Sequence, residues 1–197
     1  MNSKIMVFFQ FMYKYFQTSF YFWVKMVNGL VIYSLIPSLC GLFLVLKDIN
    51  TGSDEEQNLN VKELYNKYFE LYKSYRLPSF IYMIILILLY SGLYFVNKAE
   101  TEVFIIPIIL FVYLLFMTLL MLIYSTVFIA FKGMDAKKGN IFGFLSVFKH
   151  PVSTISLVVI LILLYLSISY NFAFFVAFGP FLFGLGVIFT LYKLIEN

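Results

Sequence analysis

Few residues of this chain could do chemistry, and the first of them sit in oil. The run "FWVKMVNGLVIYSLIPSL", residues 22–39, is apolar almost throughout yet holds Lys25, Asn28 and Pro37. An ionisable side chain inside a spanning helix marks an ion or substrate path by default, because burying charge in hydrocarbon is costly. The same lysine near a helix end can instead snorkel to the headgroups. Pro37 follows Lys25 by twelve residues, roughly 18 Å of helix at about 1.5 Å per residue. With Lys25 at the outer headgroups, Pro37 lies deep in the hydrocarbon, where neighbouring helices must satisfy the freed carbonyl. The second feature is "FGPFLFGLG", residues 178–186. Gly179-Pro180 removes a helical hydrogen bond and kinks the helix. Gly184 and Gly186 admit a close neighbour. A broken helix near the midplane builds substrate sites in transporters; a kink that merely fits one helix around others is the competing reading.

The reactive residue types are scarce elsewhere. Asp and Glu occur only in linkers and near the C-terminal end, and the chain has one His and one Cys, His150 and Cys40. Metal binding needs such residues clustered, so no metal site is expected. No glycine-rich phosphate loop is present, and no cofactor is expected. Thr118, Ser125, Thr126, Ser167 and Ser169 lack a base to activate them and read as interhelical hydrogen-bond donors. His150, between Lys149 and Pro151, reads as an interfacial residue, and Cys40 as a small packed apolar one. An enzyme is not expected.

These residues must be positioned by membrane helices. The 197 residues are 62% hydrophobic, 21% aromatic and 12% charged, a balance far from that of soluble domains. The net charge of +4 is too small and dispersed to argue for nucleic acid. The expectation is an all-α membrane protein, one polytopic domain over residues 1–197, with about five transmembrane helices. Apolar runs place the spans at 20–46, 78–96, 103–131, 152–169 and 172–194. Asn171 forms a tight turn between the last two. No cleavable signal is expected, since no small-residue cleavage site follows the aromatic N-terminus. Gln10, Lys14, Gln17, Thr18, Tyr21, Lys25 and Asn28 recur every three or four residues. That polar stripe predicts an N-terminal interfacial helix turning down into the bilayer, or a stripe facing an internal cavity.

Ten of the fourteen basic residues fall in the linkers 47–77 and 132–151 or at Lys193. The positive-inside rule puts these in the cytoplasm, with the N-terminus outside. The segment "NVKELYNKYFELYKSYR", residues 60–76, predicts an amphipathic cytoplasmic helix with Asn60 as N-cap and Glu63–Lys67 as a favourable pair. Its apolar face gathers Val61, Leu64, Tyr65, Tyr68, Leu71, Tyr72 and Tyr75. The second linker predicts a shorter helix with Ile141, Phe142, Leu145 and Phe148 on one face. Tyr65, Tyr68, Tyr72, Tyr75, Lys137 and Lys138 form the candidate partner surface.

The order of these features resembles the YesL-like family of small bacterial integral membrane proteins. The resemblance is carried by "FYFWVKMVNGLVIYSLIPSLCGLFLVL", "LYNKYFELYKSYR" and "FGPFLFGLG" in succession, with "CGLFLVL" where that family more often has Ala and Thr. It implies a bacterial plasma-membrane protein, non-enzymatic, accessory to a carbohydrate-uptake or sensory system. The partners it implies are an ABC-type sugar permease or a membrane sensor kinase, besides the lipid bilayer itself. The alternative function is a small transporter or permease subunit, with a site near Lys25, Asn28, Gly179 and Pro180.

Overall fold

The computed structural model describes residues 2–51, 60–98 and 105–196. Most of the acidic linker "DINTGSDEEQN" and the start of the span expected at 103–131 lie outside the described residues. The described chain is helical: α1 (Asn2–Asn28), α2 (Leu35–Thr51), α3 (Val61–Leu71), a 3-10 turn (Lys73–Tyr75), α4 (Arg76–Lys98), α5 (Ile105–Lys132), α6 (Ala136–Lys149), α7 (Pro151–Tyr170), α8 (Phe172–Thr190) and α9 (Tyr192–Glu196). Four of the described helices are long and apolar enough to cross a membrane: α4 with its preceding turn, α5, α7 and α8. They fall where the last four spans are expected. The final one stops earlier, because Leu191 interrupts the helix before α9.

The first expected span is not one helix. It ends at Asn28, and the chain turns through residues 29–34 before α2 begins. The Gly29 N–H bonds to Lys25 O at 3.0 Å, and Leu30 and Val31 take positive φ, 58° and 51°. That conformation costs an L residue on the order of 1–3 kcal/mol. Ser34 holds the turn, its Oγ donating to Met26 O at 2.9 Å at the end of α1. Asn28-Gly29 is a turn dipeptide that the apolar composition around it conceals. Pro37 is consequently the third residue of α2. A first-turn N–H has no intrahelical partner to lose, so the deep kink expected there does not exist.

α1 and α2 run antiparallel as a hairpin. At one end Tyr15 OH donates to Asn50 Oδ1 at 2.6 Å, and at the other Ser34 meets Met26. The two ends of the expected span thus fold back to one end of the hairpin, and the N-outside placement, which assumed a single crossing, loses its basis. α1 turns Thr18, Ser19, Phe22 and Met26 inward and leaves Phe8, Phe9, Phe16 and Phe20 exposed. The expected polar stripe is therefore split, Thr18 buried and Asn28 exposed.

α2 is the centre, with Ile36, Cys40, Leu42, Phe43, Val45 and Leu46 fully buried. α1, α3, α4, α5 and α8 all pack against it. Gly184 of α8 lies directly against Leu42 and Leu46, which is the close approach expected of it. α7 and α8 pair as a hairpin joined at Asn171, whose Oδ1 accepts from the Phe174 N–H at 2.9 Å.

α6 forms in the second linker, and its four large apolar residues share one face as expected. Ile141, Phe142, Leu145 and Phe148 are exposed, while Gly139, Gly143, Ser146 and Val147 are buried. The glycines, four residues apart, let α6 lie on the backbone of α5. A Cβ on Gly143 would stand 3.0 Å from Ser125 N and 3.2 Å from Met121 O. Between apolar helices it is small residues, not hydrophobic ones, that mark the contact. Gly143→Leu should therefore separate α6 from α5 and destabilise the protein by about 1–3 kcal/mol or more, measured as thermal unfolding in detergent. A substitution as large at exposed Leu145, such as Leu145→Phe, should be near neutral.

Candidate functional site

Pro180 lies inside α8, so Val176 O, four residues earlier, loses its helical donor. Trp23 supplies the replacement: its Nε1–H donates to Val176 O at 2.9 Å. Four residues before it on α1, buried Ser19 accepts from the Phe181 N–H at 3.1 Å. Tyr15 continues the contact, stacked on Phe181 with centroids 5.4 Å apart. One face of α1 thus seals the break in α8. Beside this contact runs a groove of about 490 Å³ whose lining, including Phe16, Phe20, Trp23 and Val176, is almost wholly apolar.

The expected transport residues are not brought together. Lys25 is two positions from Trp23, about 200° around the helix at 100° per residue. It faces α3 instead, its Nζ 5.0 Å from the Phe69 ring centroid. A position for Lys25 at the outer headgroups and a cytoplasmic position for α3 cannot both hold. Asn28 is exposed at the end of α1, and Pro37 lies in the first turn of α2 beside Ile36, whose N–H donates to Ser79 Oγ at 3.0 Å. Gly179 faces its own Phe175, where an added Cβ would lie 2.7 Å away.

α3 begins at Asn60 as expected, the Asn60 Oδ1 accepting from Lys62 N at 3.1 Å. Its tyrosines make contacts within the chain. Tyr65 is fully buried and donates to Ser38 O at 2.7 Å; Tyr68 donates to Asp48 Oδ2 at 2.6 Å. Tyr72 donates to Ala130 O and Tyr75 to Met134 O, each at 3.1 Å. The row clamps α3 to α2 and to the end of α5. Phe69 rather than Leu71 completes the buried face, and among the described residues Glu70–Lys73 at 2.9 Å, not Glu63–Lys67, forms an ion pair. That hydrogen bond from Lys73 holds the Glu70 carboxyl below its usual value. Burial, with a lesser push from Cys40, raises the Tyr65 hydroxyl well above its usual value. Burial likewise pushes Tyr72 up to about 12.

Lys137 and Lys138 remain exposed in the first turn of α6, whose N-cap Asp135 accepts from Lys138 N at 3.2 Å. Further along α6, Asn140 Oδ1 accepts from both Tyr82 OH, at 2.9 Å, and Ser125 Oγ, at 2.6 Å. This three-way joint of α4, α5 and α6 had no sequence signal beyond an isolated amide near an apolar run. At the start of α7 a cavity of about 560 Å³ opens between Lys149, His150, Ser153, Thr190 and Lys193. Among the described residues no three His, Cys, Asp or Glu side chains gather to hold a metal. No family model, curated protein or solved structure matches the chain.

Two outcomes check these contacts. Trp23→Phe leaves Val176 O unpaired and should cost about 1–3 kcal/mol. In a Pro180→Ala background the restored N–H can serve that carbonyl, so the same substitution should cost clearly less, a coupling that a double-mutant cycle reads. The folded Tyr72 value exceeds the unfolded value of 10.0. Its contribution to stability is therefore complete below pH 10 and is lost as pH rises toward 12. Alkaline titration should show late-ionising tyrosines whose ionisation coincides with loss of helicity; uniform titration of all sixteen near pH 10 would contradict this.

Proposed function

We propose that this chain is a non-enzymatic, multi-pass protein of the bacterial plasma membrane, acting as an accessory to a larger membrane system and not as a conduit itself. The observation that carries the reading is the sealing of the α8 break: Trp23 and Ser19 of α1 occupy the backbone groups that a substrate would use. A transporter site of the broken-helix kind leaves such groups facing a cavity. Here the adjoining groove is almost wholly apolar, and Lys25 and Asn28 point elsewhere. The buried tyrosines and Asn140 likewise serve helix-to-helix contacts.

The resemblance to YesL-like proteins supplies the class of system: carbohydrate uptake through an ABC-type permease, or signalling through a membrane sensor kinase. The linkers and C-terminus, rich in Lys, face the cytoplasm in this reading. With the tyrosine face of α3 turned inward, the partner contact falls to α6, where exposed Lys137 and Lys138 adjoin exposed Ile141 and Phe144. The α6 face thus pairs charge with apolar area, as docking surfaces do.

Crosslinking in native membranes, followed by purification in mild detergent, tests this. A permease or kinase subunit should be recovered with the wild type and lost with Lys137→Glu/Phe144→Glu. Saturable solute flux through vesicles containing the chain alone would establish the transporter reading instead.

A further inference from the structure

The cavity at the root of the α7–α8 hairpin has a composition that the packing does not require. We propose that it binds the phosphate of an anionic lipid headgroup. Three basic side chains, Lys149, His150 and Lys193, come to it from the end of α6, the α6–α7 junction and α9. No carboxylate lies among its described lining residues. Like charges gather at a cavity against their mutual repulsion, and an anion between them removes that cost.

The site is also shaped for an amphipathic ligand. Val152 and Phe189 line the same cavity and are 78% and 71% exposed. They stand where two helices apolar enough to cross a membrane begin and end. A headgroup phosphate among the basic side chains would lay its glycerol and first methylenes against these two residues. A free phosphate would leave them in water.

The walls are held in place before any ligand arrives. Ser153 Oγ donates to Thr190 O at 3.3 Å, tying the first turn of α7 to the end of α8. Thr154 Oγ1 donates to Val147 O at 2.8 Å and pairs with Tyr124 OH at 3.1 Å, fixing α7 against α6 and α5. No side chain caps the N-terminus of α7, where Pro151 opens a helix of 20 residues. Its first-turn amides and dipole add to the positive field of Lys149 and Lys193. Basic pockets at the ends of membrane helices recognise lipid phosphates through this combination.

Native mass spectrometry of the full chain in mild detergent tests the proposal, with phosphatidylglycerol, phosphatidylcholine and glycerol 3-phosphate added in separate arms. Phosphatidylglycerol should be retained in preference to phosphatidylcholine. In Lys149→Gln/Lys193→Gln that preference should weaken by about tenfold or more, from roughly 1 kcal/mol per lysine near an anionic surface. Lys137→Gln/Lys138→Gln removes as much charge away from the cavity and should keep the preference. Unchanged helicity by circular dichroism separates a lost site from a lost fold. Equal retention of both lipids by the wild type, or an undiminished preference in Lys149→Gln/Lys193→Gln, would overturn the proposal. Glycerol 3-phosphate that binds as well as the lipid would show a soluble phosphate ester as the ligand and would overturn the lipid source.

Discussion

A backbone N–H or C=O left unpaired away from water costs a few kcal/mol, and this chain creates such groups in the middle of its packing. Pro180 strips the donor from Val176 O, α1 ends at Asn28 with the Met26 carbonyl among its last ones, and α2 begins with the Ile36 N–H unserved. Each draws a side-chain hydroxyl or indole from another element or from across a turn, namely Trp23, Ser34 and Ser79, with the Val31 N–H also serving Met26 O. Tyr65, Tyr72 and Tyr75 serve Ser38 O, Ala130 O and Met134 O in the same manner. Because these hydrogen bonds are directional, the pairs fix the rotation and height of each helix against its neighbour. Apolar packing alone leaves both adjustable.

This division explains why the molecule has two kinds of helix. α4, α7 and the first half of α5 show their side chains outward, with Leu88, Phe95, Ile106 and Ile155 among the most exposed. Such surface suits lipid and asks little of sequence beyond apolarity. α2 is the opposite case, with hardly a residue reaching the outside. It is 17 residues long, shorter than a span usually needs, and is covered by protein on most sides. Its polar residues are correspondingly constrained, and Ser38 keeps a buried Oγ without a partner.

The contrast also decides what could be read in advance. The four spanning helices were legible because a hydropathy window averages over a helix length, and lipid-facing helices have no other requirement. Asn60 was legible because an N-cap is local. The break after Asn28 was not, since the averaging that finds spans erases a short turn; Asn28-Gly29 and Pro37 together were the available signal. The direction in which α6 turns was not legible for a different reason. Periodicity puts Ile141, Phe142, Leu145 and Phe148 on one face without saying whether that face turns inward, and Gly139 and Gly143 carried that information. Of the candidate site residues, Pro180 was legible as a break. Its sealing was not, because Ser19 and Trp23 lie more than 150 residues away in sequence.

Lys25 shows how a charge in an apolar run is reinterpreted once its neighbours are known. In an isolated helix it would have to snorkel or serve a pathway. Beside α3 it gains the Phe69 face, an interaction of about 0.5–2 kcal/mol depending on desolvation. It also contributes, after the hydrogen-bonded Lys73, to the field that lowers the Glu70 carboxyl. Phe69 is itself buried, so the ammonium sits at the margin of the packed interior with its stem half covered. A lysine in that position joins α1 to α3 across the α1–α2 hairpin. Its ammonium lies against the ring face, in the last turn of α3, close to the end that Tyr72 and Tyr75 also fix.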